Sequence, residues 1–435
     1  MSSSLRNSLR AGICALALGA AATGGAQATE GYFVEGVSAR DQALGGAGMA
    51  NPTEALTIAN NPAGLVDVGR QFNGDLSLFN PNRQYNTSTA PGFVAPGNVS
   101  SYRDIFAIPA LAYSRPLDAD RAVGISMNAN GGMDTSYAGN IFNPNCGGGS
   151  GVFCAGRAGV DLNQALISVA YAQRFGNLSI GIAPTMAIQV FSAYGLAAFS
   201  PISSAPTDLT GRGPDWSVGG GLRAGALYRV NEQLSLALAG STPMWMSNFT
   251  NYSGLFAGGG SFNIPATIGA GVSYKVLPTL AVMVDWKHIF YSGVKSIADQ
   301  MTAQALLGSG SGPGFGWRDV DVVSLGVEWK YSDMLTLRAG YAHNTQPITP
   351  NNVTFNIMAP GVVTDHIAGG LSYNITRNAA LDLTVVYSPR AGVTGPEITP
   401  QGPTGRMVNI SMSQLQVTLG YTYHFGAPEP VIAKY

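Results

Sequence analysis

The side chains with the widest chemical repertoire in this sequence form no catalytic constellation. His288, His343, His366 and His424 are scattered, and none stands with a serine or cysteine in a recognisable nucleophile motif. Gly219-Gly220-Gly221 lacks the Gly-Lys-Ser/Thr ending of a phosphate loop. Cys146 and Cys154 lie in a glycine-rich stretch without a nearby histidine. Two sulfurs alone do not complete a tetrahedral metal site. A short-loop disulfide formed after export to an oxidising space is the expectation, with two unpaired thiols as the alternative. Neither a metal, nor a cofactor, nor catalysis is expected.

What remains is binding chemistry of two kinds. Phe191, Tyr194, Phe199, Trp245, Phe249, Tyr252 and Phe256 supply apolar surface in segments between strands. Since each buried CH₂ contributes about 0.8 kcal/mol, such a lining holds a greasy chain or ring without a polar anchor. The competing role is packing of the loops on one another, or contact with lipopolysaccharide and lipid at a membrane rim. Arg223, Lys330 and Arg338 are the cationic candidates on interior strand faces. They could hold a carboxylate, or pair across the interior with Asp285, Glu328 and Asp382 and with the N-terminal charges Glu35, Arg40, Asp41 and Glu54. A net charge of −1 gives no basis for a nucleic-acid partner.

The elements that must position these residues are strands. Only 11% of residues are charged, against about 25% in a typical soluble domain. No run in the mature chain reaches the roughly 18 apolar residues of a helical span. Arg6 and Arg10, the apolar stretch Ala11 to Ala22 and Ala26-Gln27-Ala28 make a signal peptide over 1–28, with Cys14 removed alongside it. Downstream, Leu415, Val417, Leu419, Tyr421, Tyr423 and Phe425 alternate with polar or small residues. The same alternation recurs in 323–331, 335–341 and 381–387, with aromatic residues at strand ends. Apolar-out, polar-in alternation with aromatic ends fits a transmembrane barrel.

Segments of this kind are expected near 71–80, 104–115, 120–130, 162–175, 177–191, 215–230, 232–244, 264–276, 279–290, 320–331, 333–344, 365–375, 378–388 and 413–425. Their connections alternate long and short, which an up-and-down barrel produces when one rim faces the periplasm. The fold class is thus all-β, a transmembrane antiparallel β-barrel of about fourteen strands over 71–425, with a periplasmic extension over 426–435. Residues 29–70 do not read as barrel wall. Gly45 to Gly48 is too flexible for a strand, and Pro52 to Asn60 reads as a short helix. Such a segment is expected inside the lumen as a hatch.

Asn61-Pro62-Ala63-Gly64-Leu65, after a Gly/Ala-rich stretch, resembles the hatch motif of the FadL/TodX family of outer-membrane hydrocarbon and long-chain fatty acid transporters. Ile264 to Tyr274 followed by Leu280 to Trp286, and Leu325 to Tyr331 followed by Leu335 to Tyr341, resemble that family's paired strands. Gly420, Tyr423 and Phe425 fit the C-terminal signal read by the barrel-assembly machinery, here internal because the chain continues to Tyr435. The resemblance implies a fourteen-stranded barrel plugged by the hatch. It also implies capture of a hydrophobic ligand at an extracellular loop site, and lateral exit at a kink in the third strand close to Asn61, Pro62 and Ala63. By position that kink falls among Gly124, Asn128, Gly131 and Gly132.

The functional expectation is passive uptake of fatty acids, alkanes or monoaromatics by a monomer in the Gram-negative outer membrane, in contact with its lipid and lipopolysaccharide. The alternatives are a barrel whose loops bind surfaces without transport, and an open water-filled porin.

Overall fold

The computed structural model describes residues 30–90, 92–400 and 402–426. The signal peptide and all but the first residue of the C-terminal extension lie outside these. Fourteen long strands make the wall: β1 (Gln71–Thr87), β2 (Phe106–Pro116), β3 (Arg121–Tyr137), β4 (Ala158–Phe175), β5 (Leu178–Tyr194), β6 (Asp215–Arg229), β7 (Leu234–Ser241), β8 (Thr267–Leu277), β9 (Leu280–Ile289), β10 (Val320–Lys330), β11 (Leu335–Asn344), β12 (Asp365–Asn374), β13 (Ala379–Thr399) and β14 (Gly402–His424). Each pairs antiparallel with its chain neighbour. β14 returns to β1 from Gln71↔His424 to Thr87↔Val408, which closes the barrel. Two short segments, Gly97–Ser100 on β1 and Trp245–Met246 on β6, extend the sheet at its upper rim.

The alternation decides which face meets lipid. On β14, Leu419 is 62% exposed while its neighbour Thr418 is 0% exposed. The same outward apolar set continues through Leu381, Leu383 and Val385 on β13 and Val323, Leu325 and Val327 on β10. A sandwich would bury these side chains; here they form an apolar belt around a cylinder that satisfies its own backbone. Aromatic contacts mark the short-turn rim, with Tyr113 against Phe425 and Trp329 against Tyr331.

Several strands run further than their sequence pattern indicates. β1 extends to Thr87, β3 to Tyr137, and β13 and β14 continue across the expected loop 389–412 as a paired hairpin. Their upper parts, such as Asn82-Arg83-Gln84 on β1, rise above the apolar belt. Outward side chains there need not be apolar, so the pattern fades while the backbone ladder continues.

Residues 30–70 pack inside the cylinder. Ala39 N–H donates to Asp75 of β1 at 2.9 Å, Met49 N–H to Asp285 of β9 at 2.8 Å, and Ala55 N–H to Asn73 of β1 at 2.7 Å. The Ala39 carbonyl accepts from Thr384 of β13 at 2.6 Å. In place of the single helix expected over 52–60 there are two short 3-10 turns, Ala55–Ala59 and Pro62–Asp67. Asn61-Pro62 therefore begins a turn as well as ending one.

Candidate functional site

Beneath the long loops lies an apolar cavity of about 50 Å³, bounded among others by Phe153, Phe191, Leu196, Phe199, Phe256 and Phe355. Among the described residues of its lining, Ser296 is the single polar side chain. A dry cavity that takes benzene is near ~150 Å³, so a ring or chain enters only if these side chains move apart.

Of the seven aromatic candidates, Phe191, Phe199 and Phe256 line the cavity. Phe249 and Tyr252 support it from behind, their rings 5.6 and 4.8 Å from Phe191. The remaining two candidates neither line the cavity nor back it. Tyr194 turns its hydroxyl to Ser136 at 2.9 Å, under the guanidinium of Arg157. Trp245 is 60% exposed. It pairs with Gly220 at the rim, where strand alternation sends it outward and Met246 inward. Cys146 and Cys154 are disulfide-bonded. Their loop carries Phe153 into the cavity, where it packs on Phe93 and Phe199 at 5.4 and 5.2 Å.

From the cavity a file of aromatic rings runs inward. Phe191 meets Phe256 at 4.7 Å, Phe256 meets Phe262 at 4.8 Å, Phe262 meets Tyr32 at 6.2 Å and Tyr32 meets Phe33 at 5.2 Å. Tyr291 and Trp317 flank it at 5.5 and 6.1 Å from Tyr32. The Tyr291 hydroxyl donates to the Glu30 carbonyl at 2.6 Å and accepts from Tyr32 N–H at 3.1 Å. Tyr32, Phe33, Phe262, Tyr291 and Trp317 escaped the sequence reasoning, because segments far apart in the chain converge here. The adjacent pair Tyr32-Phe33, inside a segment otherwise rich in small residues, was the available signal.

The file ends at a break in the wall. β2 and β3 pair only from Pro116↔Ala122 to Ala110↔Asn128. Above that, β3 carries a bulge between Ala129 and Gly131 that makes Asn130 an extra residue against β4. Its upper half then takes a new partner. Gly132 N–H donates to the Tyr32 carbonyl and Val34 N–H to the Asn130 carbonyl, both at 3.2 Å. A Cβ on Gly131 would stand 1.7 Å from the Tyr32 oxygen, so only glycine allows this approach. Of the kink candidates, Asn128, Gly131 and Gly132 lie at the break. Gly124 does not: it is regularly paired with Ser114 and faces Ile58 of the inner segment.

The Asn61-Pro62-Ala63 motif is seated elsewhere than the resemblance implied. Asn61 caps the turn that Pro62 opens, accepting from Ala63 N–H at 3.1 Å. Its amide donates to the carbonyls of Met49 at 3.1 Å and Ala226 at 3.2 Å. Gly225 on β6 lets it close in, since a Cβ there would fall 2.1 Å from Asn61 Oδ1, and Gly181 on β5 receives Pro62-Ala63. The motif thus docks on β5 and β6, while the break in β3 is met by residues 32–34.

A family model described as outer membrane protein transport protein (OMPP1/FadL/TodX) matches residues 19–425. The chain belongs to this family. It is an outer-membrane protein with the fold of that family's channels. Among solved structures, the toluene transporter TodX of Pseudomonas putida aligns with a TM-score of 0.66 and 18% identity, over 90% of this chain and 99% of that one. A FadL homologue of Pseudomonas aeruginosa aligns with a TM-score of 0.69 and 14% identity, over 91% and 100%. The toluene transporter TbuX of Ralstonia pickettii gives 0.63 and 18%, over 90% and 99%. At these identities the likeness speaks for the fold alone. No curated protein matches the chain.

Within this FadL/TodX-family barrel the three cationic candidates separate. Arg338 on β11 is buried and committed to Glu328 at 2.7 Å and Ser372 at 2.5 Å. Lys330 ends β10 at the short-turn rim, 3.2 Å from Asp333, because the strand runs out of the lumen before reaching it. Arg223 is half-buried on the inner face of β6, and among the described residues no acidic group lies within ion-pairing distance. Of the N-terminal charges, Arg40 bonds Asp382 at 2.9 Å and lies 3.9 Å from Glu54. Lys287 pairs with Glu30, and Arg229 with Asp67 at 2.6 Å. These contacts fasten residues 30–70 to the wall.

Proposed function

We propose that this protein takes up hydrophobic compounds by passive diffusion, with residues 30–70 acting as the hatch of the barrel. Cargo is captured in the loop cavity, handed along the aromatic file and released sideways through the break between β2 and β3. The observation that carries this reading is the unbroken ring-to-ring file from Phe191 to Phe33, which joins an apolar cavity to the one irregular place in β3. Each handover exchanges one apolar contact for another. No site along the file then needs to release the full burial energy of a long chain at once.

The cavity lining has no charge to offer, which suits a hydrocarbon. Arg223 lies beyond it, between Gly221 and Gly225 on the inner face of β6, and is available to a carboxylate-bearing cargo by a charge-assisted bond. Uptake of labelled toluene and oleate by cells lacking the gene, with and without a plasmid copy, tests the reading. Plasmid-dependent uptake is expected, and its absence for both compounds contradicts transport. Arg223→Gln should slow oleate and spare toluene if the cargo is a fatty acid, and should leave both unchanged if it is a hydrocarbon.

A further inference from the structure

The break in the wall has an upper edge as well as a lower one. Below, the last regular pair of β2 and β3 is Ala110↔Asn128. Above, Tyr102 N–H donates to the Ser136 carbonyl at 3.0 Å and Ser136 N–H donates to Ser101 Oγ at 2.9 Å. Counting back from Ala110↔Asn128, Tyr102 is the residue that an unbroken ladder would set opposite Ser136. The two strands therefore separate and meet again in the same register. Between these edges, residues 103–109, of which 106–109 belong to β2, face residues 129–135 without pairing to them; seven residues of extended chain span roughly 20 Å. Pro109, which has no N–H to give, lies in that stretch. The opening is thus a closed window.

A charged side chain crosses it. Arg103, on the β2 side, reaches Asp134 of β3 at 3.1 Å and Asp161 of β4 at 2.6 Å. The segment that carries it is pinned to β1 by Ser101 N–H to the Arg83 carbonyl at 2.9 Å and by Asn80 to the Asp104 carbonyl at 2.6 Å. Directly beside it, Ile105 is 70% exposed on the outside of the barrel. Phe79 of β1 and Met133 and Asp134 of the β3 flank line a small cavity here. The Arg103 side chain is partly exposed, while that of Asp134 is fully enclosed. Arg103 Nη1 donates a hydrogen bond to Asp161 and stands at ion-pairing distance from Asp134; at a partly exposed site such a contact is worth up to about 1 kcal/mol, weak enough to break and re-form.

We infer that Arg103, held by Asp134 and Asp161, is the latch of the window, and that segment 101–105 swings away from β3 when it parts. Arg103 acts as a positioning residue. It need not touch cargo; it sets how often the strands separate. This rests on the uptake reading above, and it adds the residues that regulate exit.

The test uses the full-length protein in cells otherwise lacking it, with labelled toluene and oleate as probes and heat-modifiable migration as the check on folding. Arg103→Gln should raise the initial uptake rate about fivefold, equivalent to about 1 kcal/mol of latch energy at tenfold per 1.4 kcal/mol. Arg103→Lys, which keeps a charge for one carboxylate, should fall between that variant and the parent. A lock, Tyr102→Cys with Ser136→Cys in a Cys146→Ser/Cys154→Ser background, should stop most uptake when oxidised and recover on reduction. A folded lock that passes cargo equally in both redox states overturns the latch, as does an Arg103→Gln protein with parental rates. If the parent itself shows no uptake above the deletion strain, the transport reading fails instead.

Discussion

Asn61 shows how much one side chain can fix. Its three hydrogen bonds join the turn at Pro62, the carbonyl of Met49 and the wall at Ala226. Asn61→Ala leaves those buried groups unpaired at about 1–3 kcal/mol. Amide exchange over 49–65 should therefore accelerate by about fivefold or more while the barrel stays folded; unchanged exchange would show that the seat does not depend on this residue. Titratable groups of the inner segment add a pH dependence. Burial pushes the Asp41 carboxyl up to about 6 and that of Glu54 up to about 7, from ordinary values of 3.8 and 4.5. The folded chain then holds protons that the unfolded chain has lost, so stability falls as pH rises from about 4 to about 7. Thermal unfolding of the inner segment should come at a lower temperature at pH 8 than at pH 5, and the reverse order would contradict this sign. The sequence made Asn61 visible as a motif residue, yet not its seat. That depends on Gly181 and Gly225, whose meaning appears only when β5 and β6 stand side by side.

At the scale of elements, β3 and the disulfide loop carry most of the function proposed for the chain. Gly131 and Gly132 were legible as a weak point in a strand, because glycine disrupts a ladder wherever it stands. What fills the gap was not legible: Tyr32–Val34 pairs with β3 from nearly a hundred residues away, and no local pattern announces such a contact. For the same reason nothing in the sequence singles out Arg103, whose partners Asp134 and Asp161 are brought to it only by the fold. The loop closed by Cys146 and Cys154 spans eight positions, for which chain entropy alone gives about 2.5 kcal/mol. Cys146→Ser/Cys154→Ser should leave the barrel assembled and loosen Phe153 from Phe93 and Phe199. A fluorescent hydrocarbon should then bind several-fold more weakly, and unaltered binding would separate the loop from the capture site.

The whole molecule is a cylinder whose outward residues were readable almost strand by strand, since a lipid-facing belt imposes a strict period of two. The readable part stops where that constraint stops. Above the belt β1, β3, β13 and β14 continue in polar residues, and within it the inner face is written by pairwise contacts such as Arg40 with Asp382 that have no period. The cavity, the file and the window lie in that unpatterned interior, which is why seven loop aromatics gave three that line the cavity. Together these parts make the path proposed here from loops to bilayer. Photo-crosslinking tests that path directly, using a diazirine-bearing long-chain hydrocarbon supplied from outside to cells carrying the protein. Labelled peptides containing Phe256, Phe262, Tyr32-Phe33 and residues 129–133 are expected; labelling confined to the outward belt, with none on the aromatic file, would rule the path out.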